Sequence, residues 1–145
     1  MKVSVEEIAR NEDEEILIRC HEVDPDLVEF ASRLRMETFL LLGYRGDRTH
    51  RVKLSDVYYF EAVDGKVFLY GKDNVYEVKQ KLYELEALCE ERKCFRASKS
   101  TILNMTKIAH VYPTLSGRFE AVLDNGERVV ISRQYVPVLR QKLGL

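Results

Sequence analysis

Three histidines, three cysteines and 24 carboxylates are the residues of this chain that could support acid–base, nucleophilic or metal chemistry. His21, His50 and His110 stand far apart, without the i,i+4 pair that presents two imidazoles to one metal. Each falls in an alternating stretch, which reads as a histidine on a strand surface. Cys20, Cys89 and Cys94 are odd in number and lack framework spacing, so a structural disulfide set is not expected. Cys89 and Cys94 are five apart, which is no zinc spacing, and they read as small apolar core residues or a half-exposed thiol. There is no G-x-S-x-G, P-loop, G-x-G-x-x-G or H-E-x-x-H. The carboxylates show no spacing that marks an acid–base pair. An enzyme is therefore not the expected class, and no metal or cofactor is expected.

Charge is more informative than chemistry. The chain is near neutral, at −1, but the charge is unevenly spread. Residues 1–35 hold 10 acidic and 5 basic groups, or −5; residues 36–92 hold 11 and 9, or −2; residues 93–145 hold 3 and 9, or +6. A basic last third can meet a polyanion although the whole chain is neutral. The same pattern also suits an ordinary solvated surface.

At 145 residues the chain fits one domain of roughly 100–150 residues. The 46% apolar content is that of a globular protein with a real core. No apolar run approaches the roughly 18–20 residues that span a bilayer, and the N-terminus shows no secretory h-region. The cytoplasm is the expected compartment.

The elements that would position any site are mostly strands. Residues 16–20 alternate as a short strand, and Asp24-Pro25 caps a helix over 25–35 with a Leu27, Phe30, Ala31, Leu34 stripe. Strands follow at 38–45, 49–54, 56–63, 66–70 and 75–78, with turns at Gly46-Asp47, Asp64-Gly65 and 71–74. Residues 79–91 form the clearest helix, with Leu82, Leu85, Leu88 and Cys89 on one face and glutamates on the other. Phosphate would repel that acidic face. Residues 94–97 are extended, and 98–106 hold one helical turn at most. Three more strands occupy 108–114, 118–123 and 128–132, closed by Ser116-Gly117 and by Asp124-Asn125-Gly126, in which Asn125-Gly126 fits a type I′ turn. Pro137 opens a last helix that stops at Gly144. The pattern is mainly β, α+β by content, without a βαβ rhythm.

Five pieces then stand in one order: Asp56-Val57-Tyr58-Tyr59-Phe60-Glu61, the helix Lys79 to Glu91, Phe95-Arg96 with Ser98-Lys99-Ser100 and Asn104, the strand pair closed by Asn125-Gly126, and Ser132-Arg133. Together, over about residues 37–143, they resemble the LytTR family of bacterial DNA-binding domains, in the short form without a receiver domain. The 35 residues before Met36 are too few for a receiver, which is a full domain of alternating strands and helices. Ser98 departs from the family, where histidine is common, and this shifts weight to Lys99.

The resemblance implies an elongated stack of small antiparallel sheets with one internal amphipathic helix. It divides the chain into an acidic strand-helix segment, 1–35, and a DNA-binding domain, 36–145. It implies a transcription regulator that reads the major groove of double-stranded DNA through loops, as a homodimer on direct repeats. A small membrane protein as regulatory partner is a further implication. Three loop sites follow, after Glu61, at 96–100 and at 132–134. Lys99, Arg133 and Lys66 suit base edges, because lysine and arginine donate to guanine O6 and N7. Arg96, Ser98, Ser100 and Gln134 suit phosphate. Asn104 reads as a turn-closing structural residue. The rival class is an interaction or sensory module working through residues 1–35.

Overall fold

The computed structural model describes all 145 residues. Residues 1–24 contain no helix or strand. The strand expected at 16–20 does not form. Five residues without a partner ladder gain too little to order as a strand, and Ile16 and Leu17 remain exposed. Helix α1 (Pro25–Thr38) starts as expected: the Asp24 side chain accepts the Leu27 N–H at 2.8 Å, and proline sits in the first turn. Its expected stripe is only partly covered: Leu27, Ala31 and Leu34 are half-buried and Phe30 is exposed. Only Met36 is fully buried, and ion pairs from Glu37 to Lys53 and from Glu29 to Lys93 hold the helix to the body.

Ten strands follow: β1 (Leu40–Arg45), β2 (Arg48–Lys53), β3 (Tyr59–Val63), β4 (Lys66–Tyr70), β5 (Val75–Val78), β6 (Cys94–Arg96), β7 (Thr101–Asn104), β8 (Ile108–Pro113), β9 (Phe119–Leu123) and β10 (Arg128–Ile131). Helix α2 (Leu82–Leu88) is shorter than expected, and α3 (Val136–Leu143) ends at Gly144, with φ of 73°, as expected. All pairings are antiparallel. One sheet runs β2-β1-β5-β4-β3-β7-β6, and a second runs β10-β9-β8. Strand outweighs helix.

Turn chemistry sets the registers. Asp64 and Gly65 both have positive φ, 52° and 78°, between paired Val63 and Lys66, as a two-residue type I′ turn requires. The Asn125-Gly126 turn differs from expectation. Only Gly126 has positive φ, and its N–H donates to the Leu123 carbonyl, while the Leu123 N–H donates to Glu127. Asp124, Asn125 and Gly126 close the hairpin together, as expected, but without the type I′ geometry. Asp124 is held in place because its N–H donates to the Lys107 carbonyl and its carboxylate accepts the Tyr58 hydroxyl at 2.5 Å.

Two cores result. Leu41, Leu54, Val57, Phe60, Leu69, Leu82, Leu85 and Ile102 belong to the first. Tyr58, Phe95, Ala97, Leu103, Phe119, Leu123, Ile131 and Leu139 belong to the second. Residues 98–106 are not mainly a helical turn: β7 is a strand with all four residues buried, followed by one 3₁₀ turn. Ile102 faces the first core and Leu103 the second, so β7 lies between them. Asn104 ends the strand, 2% exposed. Its amide donates to the carbonyls of Val57 at 2.6 Å and Leu54 at 3.3 Å, and its oxygen accepts from the Thr106 N–H and hydroxyl. The expected structural role of Asn104 is what the structure shows.

The cysteines require a correction. Cys89, which ends α2, and Cys94, which opens β6, are joined in a disulfide, and both are buried. Helix α2 stops at Leu88 and the chain turns back at once, which brings Cα atoms five residues apart to 5.2 Å, within bonding range. Cys20 is free and exposed.

Two outcomes are expected. Asn104→Ala leaves buried carbonyls and an N–H without partners, and urea unfolding should show a loss of roughly 3 kcal/mol. The Tyr58 phenol is pushed up from 10 to about 12, first by its hydrogen bond to Asp124, then by burial. A phenol that holds its proton more tightly when folded contributes stability that is intact below pH 10 and lost as pH rises toward 12. Tyr58→Phe should remove that component of the alkaline decline and leave the pH 6–8 profile flat.

Candidate nucleic-acid interface

The β6–β7 connection carries three of the expected site residues, Ser98, Lys99 and Ser100, and Arg96 ends β6 just before it. The Ala97 and Ser98 N–H groups both donate to the Thr101 carbonyl, which pinches residues 98–100 into a tight loop. The Ser98 hydroxyl accepts the Ser100 N–H at 3.3 Å and so braces the loop from within. Arg96 lies beneath the loop, its side chain 17% exposed. Its Nε donates to the Ser98 carbonyl at 2.8 Å and one Nη to the Lys99 carbonyl at 2.6 Å. The other Nη pairs with Glu86 of α2 at 2.8 Å. Lys99 and Ser100 are exposed, and Lys99 has no acidic partner within ion-pair distance.

Backbone hydrogen bonds tie the other two loops to this one. The Ser100 carbonyl accepts the Ala62 N–H at 2.8 Å, joining the β3–β4 hairpin. The Ala97 carbonyl accepts the Ser132 N–H at 2.9 Å, joining the segment after β10. Arg133 and Gln134 follow Ser132 in a 3₁₀ turn, and both are exposed. The stem of Arg133 lies against Gly117, where a Cβ would come within 2.9 Å of Arg133 Cδ. Gly117 also has φ of 73°, so both space and backbone favour glycine there.

Lys99, Ser98, Ser100, Arg133 and Gln134 thus share one end of the molecule. Lys66 sits on the linked hairpin, but its ammonium lies 3.8 Å from Glu77 on β5. That contact is on the side of β4 away from β7. Arg96 is turned inward to its own loop. Sequence reasoning missed Arg118, exposed beside Gly117 in the β8–β9 turn next to Arg133. The Ser116-Gly117 turn was the available signal. It also set Glu86 aside as part of an acidic helix face, without seeing Arg96 as its partner.

The electrostatics favour this end. Lys99, Arg118 and Arg133 take part in none of the five ion pairs of the chain. Of the three acids after residue 93, Asp124 is engaged by Tyr58 and Glu120 lies 3.6 Å from Arg128. A hydrogen bond to Glu120 also raises the Tyr112 phenol. A concavity of about 800 Å³ is lined by α1, Met105 and Lys142 among others and includes no residue of the three loops. No helix is long and apolar enough to cross a membrane.

Known proteins share this chain's sequence pattern and fold. The family model of the LytTr DNA-binding domain matches residues 47–144, which include all three loops. The sensory transduction protein LytT of Enterococcus faecalis is 29% identical over 99 residues, 68% of this chain and 41% of its own length. This chain therefore spans about two fifths of that relative. An uncharacterized HTH-type transcriptional regulator of Staphylococcus aureus is 27% identical over 105 residues, 72% of this chain and 71% of its own. Among solved structures, the LytTr DNA-binding domain of a protein described as a methyl-accepting/DNA response regulator from Bacillus cereus superposes with a TM-score of 0.69. The two are 31% identical, over 73% of this chain and 97% of that one. On this evidence the chain belongs to the LytTR family of DNA-binding domains.

Proposed function

We propose that this protein is a sequence-specific double-stranded DNA-binding transcription regulator that reads the major groove through its loops, as two copies on direct repeats. One observation supports the reading above the others: three loops joined by backbone hydrogen bonds present Lys99 and Arg133 with no carboxylate in reach. A cation free of protein partners loses nothing when it meets a guanine edge or a phosphate. In this reading Lys99 and Arg133 contact bases, and Lys66 joins them by giving up Glu77. Ser98, Ser100 and Gln134 hold phosphate oxygens, and Arg118 adds a cation beside Arg133.

A second reading is favoured by the front of the chain. Ile16, Val23, Val28 and Phe30 are 63%, 69%, 52% and 46% exposed, an apolar surface left open on an acidic segment. Residues 1–35 then act as a control layer that binds a second copy or a regulatory protein, the membrane-protein partner among them.

Selection on random duplexes, followed by anisotropy titrations, tests both. Arg133→Ala should lose roughly 1–3 kcal/mol of discrimination between its operator and a scrambled duplex. Normal operator preference in Arg133→Ala would remove the base-reading role. Removing residues 1–22, which leaves the α1 cap intact, should change the oligomeric state in sedimentation or the response to a partner. If neither that state nor DNA affinity changes, the segment has no part in the mechanism.

A further inference from the structure

The guanidinium of Arg96 is placed where a phosphate-contacting arginine would not be. A phosphate contact needs an exposed fork with free donors. Arg96 is 17% exposed on its side chain, and three of its donors point at the Ser98 carbonyl, the Lys99 carbonyl and Glu86. The carbonyl of Ser100 is taken by Ala62. Every carbonyl of the 98–100 loop is therefore held from the protein side, two of them by one planar group. Glu86 holds that group in turn. It projects from α2, and the Cys89–Cys94 disulfide ties the end of α2 to the start of β6, two residues before Arg96.

We infer that Arg96 and Glu86 are positioning residues that set the specificity of DNA reading by fixing the backbone of the 98–100 loop, and so the direction in which Lys99 leaves it. The inference rests on the DNA-reading function proposed above and adds to it a role for an acidic side chain that touches no DNA. Loop carbonyls satisfied by a fixed fork cannot rotate to face solvent, so the Lys99 Cα–Cβ direction is set before DNA arrives. Pre-organisation of this kind sharpens discrimination, because a misdirected lysine still finds phosphate but misses the base edge.

The positioning role and a phosphate role for Arg96 predict opposite results for one conservative change. Glu86→Gln removes a negative charge near the interface. If Arg96 held phosphate, freeing it would tighten binding to every duplex alike. Under the positioning role, the ratio of operator to scrambled affinity falls about tenfold, equal to about 1.4 kcal/mol. Arg96→Lys keeps the charge but cannot bridge two carbonyls and a carboxylate in one plane. It should lower the same ratio while leaving the slope of log affinity against log salt unchanged. An Arg96 that held phosphate would instead leave the ratio unchanged, because lysine keeps a contact that carries no sequence information.

The experiment is anisotropy with the full chain on the selected operator and a scrambled duplex at four salt concentrations, for wild type, Glu86→Gln, Arg96→Lys, Lys99→Ala and Glu86→Gln/Lys99→Ala. Glu86 is half exposed, so its glutamine variant tests the idea even where Arg96→Lys fails to fold. The expected result is a lower ratio in Glu86→Gln that adds nothing once Lys99 is already alanine, the mark of a residue acting through another. Uniformly tighter binding, an unchanged ratio, or full additivity with Lys99→Ala would overturn the inference. A wild type without operator preference would overturn the DNA-reading function and the inference with it. Wild-type preference with no effect of Glu86 would overturn the inference alone.

Discussion

The buried carboxamide of Asn104 joins the parts of this molecule that would otherwise be independent. It ends β7, which contributes to both cores, and it ties the backbone at 54–57 to the segment 104–106 through four hydrogen bonds. Polar groups this deep are tolerated only when fully paired. The amide therefore fixes where the 3₁₀ turn before β3 stops and where the turn into β8 begins. The first core could not meet the second at this angle if either turn slid by a residue. Neighbouring Ile102 and Leu103 then divide their side chains between the two sheets.

The loops inherit that order. Two of them attach to the ends of β7 and β3 and the third attaches to Ala97, each through main-chain hydrogen bonds. Main-chain attachment matters because it does not use side chains. Lys99 and Arg133 remain free of ion pairs, while Asp124 and Glu120, two of the three carboxylates of the same third of the chain, are engaged on the small sheet or its turn. The asymmetry of charge along the sequence becomes a separation in space by this route.

Much of this was legible from residue order alone. Asp24-Pro25, Asp64-Gly65 and Gly144 carry local chemistry that decides a cap, a turn and a stop, and each acts there as its type demands. The registers of β3, β4 and β5 follow from alternation and short turns. Other features depend on partners that sequence does not display. The segment 16–20 alternates like a strand, yet nothing lies beside it. β7 has no alternation because both its faces are buried, so its four residues resembled a break between elements. The turn at Asn125 is not type I′, and a tyrosine 66 positions away holds its Asp124. The same limit hid the Cys89–Cys94 pairing and the inward turn of Arg96, whose acidic partner sits ten positions earlier on a helix. The family motifs located the loops, and only the packing showed which of their side chains are free.

The clamped carbonyls of the 98–100 loop have a consequence for how such a protein can change over time. The shape of the loop is written into Arg96, Ser98, Ala62 and the backbone, and the side chain of Lys99 takes no part in holding it. Under the proposed function, a substitution at that position alters what is read without altering the frame that presents it. If Lys99 reads bases as proposed, reading and folding are separable at this residue, and a lineage of such chains can drift from one operator to another through single steps that each leave a folded protein.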